Sequence, residues 1–275
     1  MPADLKPLLD DLAAESAALD AILAALGPAD WRRPTPAAGW TIADQVSHLA
    51  YFDDVTLVSI TDPDQFRLAA RALTADGDDY PDRIAAEHRH LDGVALLAWF
   101  RTARQALLDG YTACDPAARL PWFGPSMGVA SSVTARLMET WAHGQDIADT
   151  LGAERRPTAR LRHVAHIGIA GLPYSYAVNG LPVPDQPVRV ELTAPDGNIW
   201  VWGPANAADR VVGTALDFCL AVTQRRHLTD TRLTVTGPVA GQWMAIAQAF
   251  AGPAGPGRPP ATESATEGPT ERHWP

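Results

Sequence analysis

The sequence predicts an α+β protein: a helical bundle over residues 1–155, a small α+β domain over 156–252 and a disordered tail over 253–275. Three observations carry this prediction. Before residue 155, apolar residues recur at three- and four-residue spacing in four long stretches. Beyond it, Val188, Val190 and Leu192 alternate with polar residues, Pro195, Asp196 and Gly197 mark a turn, and Ile199 and Val201 lead the chain back as a hairpin would. From Pro253 onwards, proline, glycine and small polar residues dominate, leaving too few apolar side chains to offset the entropy of ordering.

The elements follow in order. "DLKPLLDDLAAESAALDAILAAL" places Leu5, Leu8, Leu12, Leu19, Ile22, Leu23 and Leu26 mostly on one helical face, and "GPADW" ends that helix. In "TPAAGWTIADQVSHLAYFDDVTLVSI", Thr41 is the expected N-cap of a second helix, which carries His48. The acidic "ADGDDYPD" lacks the spacing and final glutamate of an EF-hand loop and reads as a turn. "LDGVALLAWFRTARQALLDGYTAC" predicts a third helix, and "VASSVTARLMETWAHGQDIADTLG", after the turn-rich "CDPAARLPWFGPSMG", a fourth closed by Gly152. In the second domain, "ADRVVGTALDFCLAVTQRRHL" reads as a helix, "TRLTVTG" as a strand and "AGQWMAIAQAFAG" as a helix.

With 47% hydrophobic and 20% charged residues, the composition is that of a globular chain. A formal net charge of -10 argues against nucleic acid or an anionic membrane surface as a partner. No leader-like segment and no long apolar run stands out, so a cytoplasmic protein, monomeric or homodimeric, is expected. The two cysteines, Cys114 and Cys219, are expected to be reduced, Cys219 as a buried thiol in an apolar helical pattern.

In "RLMETWAHGQDIA", Glu139 and His143 stand four apart, so a helix stacks them on one face, where both can reach a common point. Bundles build metal sites from inward side chains on facing helices, and His48 on the second helix is the natural third ligand. Two histidines and a glutamate form a catalytic zinc set that leaves positions open for water or substrate. An E-x-x-x-H pair is also compatible with a surface ion pair, and the spacing by itself leaves both readings standing.

Other candidates carry two readings each. Arg225 and Arg226, with His227, close a predicted helix, where they complement its dipole or reach for a substrate carboxylate. Trp122 and Phe123 either plug the bundle end or line a pocket mouth. Asp146, three after His143, is either an orienting carboxylate or an ordinary polar residue. His163 and His166 have no neighbouring carboxylate or cysteine and read as part of a packed or surface helix, whereas His88 and His90 read as solvated.

"GWTIADQVSHLAYFD" together with "ARLMETWAHGQDIADTLG" resembles the DinB-like superfamily, in particular the mycothiol-dependent maleylpyruvate isomerase type. That resemblance, spanning roughly residues 5 to 155, implies a DinB-like four-helix bundle binding a divalent metal, zinc by expectation, through His48, Glu139 and His143. "PVRVELTAPDG", "DFCLAVTQRRHL" and "TVTGPVAGQWMAIAQAFAG" are similar to the C-terminal domain of such proteins, related to sterol-carrier-like folds, and imply an arginine that binds a carboxylate. Mycothiol is a thiol of high-GC actinomycetes, and Lys6 is the only lysine here, a bias of GC-rich genomes.

The resemblance therefore implies a metal-dependent enzyme using mycothiol as cosubstrate, a transferase or isomerase acting on a small electrophile. Arg225, Arg226 and Trp122 are the expected substrate-binding residues. Two alternatives remain: a hydrolase using the same ion to activate water, and a noncatalytic small-ligand-binding protein.

Overall fold

The structure is a computed structural model that describes residues 5–261 of the chain. The chain divides into two compact units, 1–156 and 157–275. In the first, α1 (Lys6–Leu23), α2 (Ile42–Thr61), α5 (Gly93–Ala113) and α6 (Val129–Leu151) pack as a four-helix bundle, with α3 (Pro63–Thr74) and α4 (Tyr80–His88) laid against α2. A two-stranded hairpin, β1 (Arg119–Leu120) and β2 (Met127–Gly128), connects α5 to α6.

Local chemistry sets the helix ends. Thr41 and Asp44 form a reciprocal capping box at the start of α2: the Thr41 N–H donates to Asp44 Oδ2 at 2.8 Å, and Asp44 N–H donates to Thr41 Oγ1. α6 ends at Gly152, whose φ of 66° lies in the left-handed region that a residue with a Cβ adopts at a cost. Leu19, Leu23, Ile42, Val46, Leu49, Leu96, Phe100 and Ile147 make a continuous core, each such burial contributing roughly 1.5–3 kcal/mol.

A second, polar cluster lies inside the same bundle. Asp53 on α2 is fully buried and accepts from Arg104 of α5 at 2.6 and 3.1 Å and from Arg136 of α6 at 3.0 Å. Arg104 also donates to Ser16 and Thr140, and Arg136 to the Leu49 carbonyl. One carboxylate thus ties α2 to α5 and α6, and the Arg104 contact with Ser16 brings in α1.

The second unit opens with α7 (Leu161–Ala170) and α8 (Leu172–Val178). A mixed sheet follows, in the order β4 (Ile199–Trp202), β3 (Val188–Thr193), β5 (Asp209–Thr214) and β6 (Thr234–Thr236), with α9 (Ala215–Val222) and α10 (Pro238–Ile246) packed on it. The expected β3–β4 hairpin forms, antiparallel, with Gly197 at φ 86° in its turn.

Here the structure corrects the sequence reading. Residues 209–214 are a strand parallel to β3, not the start of a helix, and α9 begins only at Ala215, capped by the Thr214 hydroxyl. Val211 is buried while Val212 is exposed, the two-residue period of a half-buried strand, and β-branched Val211, Val212 and Thr214 favour it. α3 and α4 are helices the sequence reading does not assign, α4 starting at Tyr80 inside the stretch read as a turn. Asp62, whose side chain accepts from the Gln65 N–H, and Pro63 at the first helical position are the unread start signals of α3.

From Pro253 the chain runs without strand or sustained helix as far as 261. It stays close to the second unit, where the Ala261 N–H donates to Asp230 at 2.9 Å. The rest of the expected tail lies outside the described residues.

Candidate metal centre

Helix geometry builds the site from two elements. Glu139 and His143 lie one turn apart on α6, and His48 faces them from α2. The three side chains present ligand atoms that all lie within 4.8 Å of one another, and among the described residues theirs is the group of histidine, cysteine and carboxylate side chains able to hold a metal ion.

Distances and hydrogen bonding test the fit of a cation. His143 Nε2 stands 3.0 Å and His48 Nε2 3.9 Å from the same oxygen, Glu139 Oε2. Two ligands each about 2.1 Å from a tetrahedral zinc ion are roughly 3.4 Å apart, a value that the observed pair brackets. His48 Nδ1 is buried without a hydrogen-bond partner, and at 3.9 Å its Nε2 is too far from Glu139 for a direct hydrogen bond. A cation beside Glu139 would engage His48 Nε2, which makes no direct hydrogen bond to that carboxylate.

The electrostatics point the same way. Burial, reinforced by the neighbouring His143, lowers the His48 pKa from 6.5 to about 4 against the opposing pull of Glu139, so the imidazole is neutral at pH 7 with a lone pair to offer. Burial works against ionisation of Glu139, but the hydrogen bond and charge interaction with His143, with His48 close by, overcome it and hold the carboxyl well below its usual range. A neutral imidazole and a carboxylate are the forms that bind metal. With one carboxylate, a divalent ion would keep net positive charge and remain a Lewis acid.

Aromatic side chains surround the imidazoles. Trp40 lies against both, its ring centroid 5.2 Å from His48 and 6.0 Å from His143, and its indole N–H donates to Asp82 at 2.6 Å. Phe52, one turn along α2, packs on His48 at 4.6 Å. Trp122 stacks on Phe66 and Phe123 on Tyr80, and both touch Phe52. Trp122 is therefore part of an aromatic cluster that reaches His48 through Phe52.

Sequence reasoning missed Trp40, Phe52 and Gln45. Gln45 sits one turn before His48 and accepts from His143 Nδ1, the position for which Asp146 had been considered. Asp146 is buried on α6. His88, expected in solvent, is half-buried: its ring packs against Trp99 at 4.7 Å, and its Nδ1 pairs with the Ile84 carbonyl. His163 and His166 lie on α7, apart from the metal-ligating group.

The remaining predicted residues belong to the second unit. Arg225 and Arg226 follow α9 in a turn where Gln224 has a φ of 60°, and their guanidiniums donate to the carbonyls of Thr223 and Arg225. Arg226, with His227, Gln248 and Arg258, helps line a pocket of about 120 Å³. Cys219 is buried and its thiol is pushed well above its usual pKa by burial; Cys114 is free and half-buried, its thiol also raised, by burial and then Asp115.

The family model described as "Mycothiol maleylpyruvate isomerase N-terminal domain" matches residues 12–148, a span that contains the three candidate ligands. The chain belongs to this family, within the DinB-like superfamily. A second family model, "Wyosine base formation", matches residues 184–236.

Relatives of this maleylpyruvate isomerase-type chain include proteins from two strains of Mycobacterium tuberculosis, both described as uncharacterized. Each is 48% identical over 257 residues, which is 93% of this chain and 100% of the relative. Crystal structures of mycothiol-dependent maleylpyruvate isomerase and of a mutant form share the fold, at a TM-score of 0.58 with 16% and 15% identity, over 84% of this chain and 92% of theirs.

Proposed function

We propose that the protein is a divalent-metal-dependent enzyme that uses a low-molecular-weight thiol, mycothiol, for transfer to or isomerisation of a small electrophile. The observation that carries this reading is the convergence of His48, Glu139 and His143 on one point, with both imidazole Nε2 atoms turned toward the same carboxylate oxygen. Zinc is the ion that suits two imidazoles and one carboxylate. When bound, it would supply the Lewis acidity that brings a thiol, ordinarily of pKa about 8.5, to its thiolate at neutral pH.

The chain's own residues would do the rest. His48, Glu139 and His143 would hold the ion and keep it accessible to the thiol. Trp40 and Phe52 limit the water around the imidazoles. Trp122, in the aromatic cluster that reaches His48 through Phe52, would contact the electrophile. The sulfur either adds to an activated alkene and departs after rotation about the former double bond, which isomerises it, or forms a lasting S–C bond as a leaving group departs. Cys219 and Cys114, with raised thiol pKa values, are poor nucleophiles, which supports an external thiol.

Family membership supports thiol use, since the matching model is named for a mycothiol enzyme. No described helix is long and apolar enough to cross a membrane, and we place the protein in the cytoplasm as a monomer or homodimer. Incubating zinc-loaded protein with mycothiol and a panel of activated alkenes and alkyl electrophiles, and following free thiol and substrate, tests the proposal. Turnover that requires mycothiol supports it. Turnover of a substrate without any thiol would make the enzyme a hydrolase, and inertness toward every pair would sink the thiol reading.

A further inference from the structure

We infer that Gln45 is the positioning residue of the metal centre: through a hydrogen-bond relay of fixed polarity from the Trp40 carbonyl, it keeps the proton of His143 on Nδ1 and leaves Nε2 to the ion. The inference rests on the metal-centre reading above.

The polarity is set at the far end of the relay. The Trp40 carbonyl can only accept, and the Thr35 hydroxyl donates to it at 3.0 Å. With its proton so used, the hydroxyl offers a lone pair to the Gln45 side-chain amide, whose Nε2 lies 2.9 Å away. That turns Gln45 Oε1 toward His143, and Oε1 meets Nδ1 in a short contact. An amide oxygen only accepts, so Nδ1 carries the proton. That leaves His143 Nε2, 3.0 Å from Glu139 Oε2, as the nitrogen able to exchange its contact with the carboxylate for a bond to a cation between them.

Gln45 is wholly buried, so no water competes for either end of its amide. Because it is neutral, it orients the imidazole without the added negative charge of an Asp or Glu partner, which would make the imidazole a stronger donor and the ion a weaker Lewis acid. The relay also couples the ring to its cover. It ends on the backbone of Trp40, whose indole packs against His48 and His143. The loop that shields the imidazoles and the tautomer of one of them are therefore held by the same three hydrogen bonds.

The test uses the full-length protein. In a long-range proton–nitrogen NMR spectrum of the metal-free parent, His143 is expected to show a protonated Nδ1; a bare Nδ1 overturns the inference. In cobalt titrations, Gln45→Leu is expected to bind about 10–100-fold more weakly, with an altered visible spectrum. Gln45→Glu, which keeps an oxygen facing Nδ1, is expected to restore binding to within a few-fold of the parent. Unchanged affinity and spectrum in Gln45→Leu would overturn the inference, and should that variant not fold, the parent's tautomer decides. A parent that takes up no cobalt refutes the metal centre itself, while the NMR spectrum still judges the relay.

Discussion

Asp53 takes hydrogen bonds from two guanidiniums in the bundle interior, so its removal leaves two buried charges without a counter-ion. Asp53→Ala is expected to destabilise the protein by about 3–5 kcal/mol, read from urea unfolding, because breaking a buried ion pair from one side exposes the desolvation cost of the other. A loss below about 1 kcal/mol would mean that the arginines find water or other partners. Cys219 is the opposite case, a thiol with an apolar neighbourhood and the Leu161 carbonyl 3.4 Å from its sulfur. Native protein at pH 8 is expected to be alkylated at Cys114 alone, slowly, and at both cysteines once unfolded, as mass spectrometry would show; rapid native labelling of Cys219 would contradict its burial. The metal-ligand candidates were legible in the sequence because Glu139 and His143 share a helix face within one turn. Gln45, Trp40 and Asp53 were not, because what gives each its role is a partner more than 40 residues away: His143 for Gln45, Asp82 for Trp40, Arg104 for Asp53.

At the scale of elements, α1, α2, α5 and α6 were readable because their apolar periodicity runs for four or more turns, and Thr41 and Gly152 mark helix ends by well-understood capping chemistry. β5 was not. Its six residues run directly into α9, and the merged apolar stretch fits a helix until pairing with β3 decides the matter. The strand makes a sharp prediction for two adjacent valines. Val211→Lys places a charge in the core of the second unit and is expected to cost several kcal/mol, whereas Val212→Lys, on the open face, should change stability by no more than about 0.5 kcal/mol. Thermal unfolding of the two variants checks this, and comparable losses in both would contradict the strand.

For the molecule as a whole, family membership and fold agree with the helical first unit and the sheet-containing second, and the three candidate ligands all belong to the first. The net charge of -10 does not by itself draw a cation to this point; the focus comes from two helices that bring one carboxylate and two imidazoles together. The proposed chemistry depends on that focus, since without an ion neither a thiol nor water is activated there. The most direct test is elemental analysis of protein purified without added metal, alongside His48→Ala and Glu139→Ala. The account predicts close to one divalent ion per chain in the parent and strong loss in both variants while they remain folded. A parent without metal that also fails to take up zinc, or variants that retain the parent's stoichiometry, would contradict it.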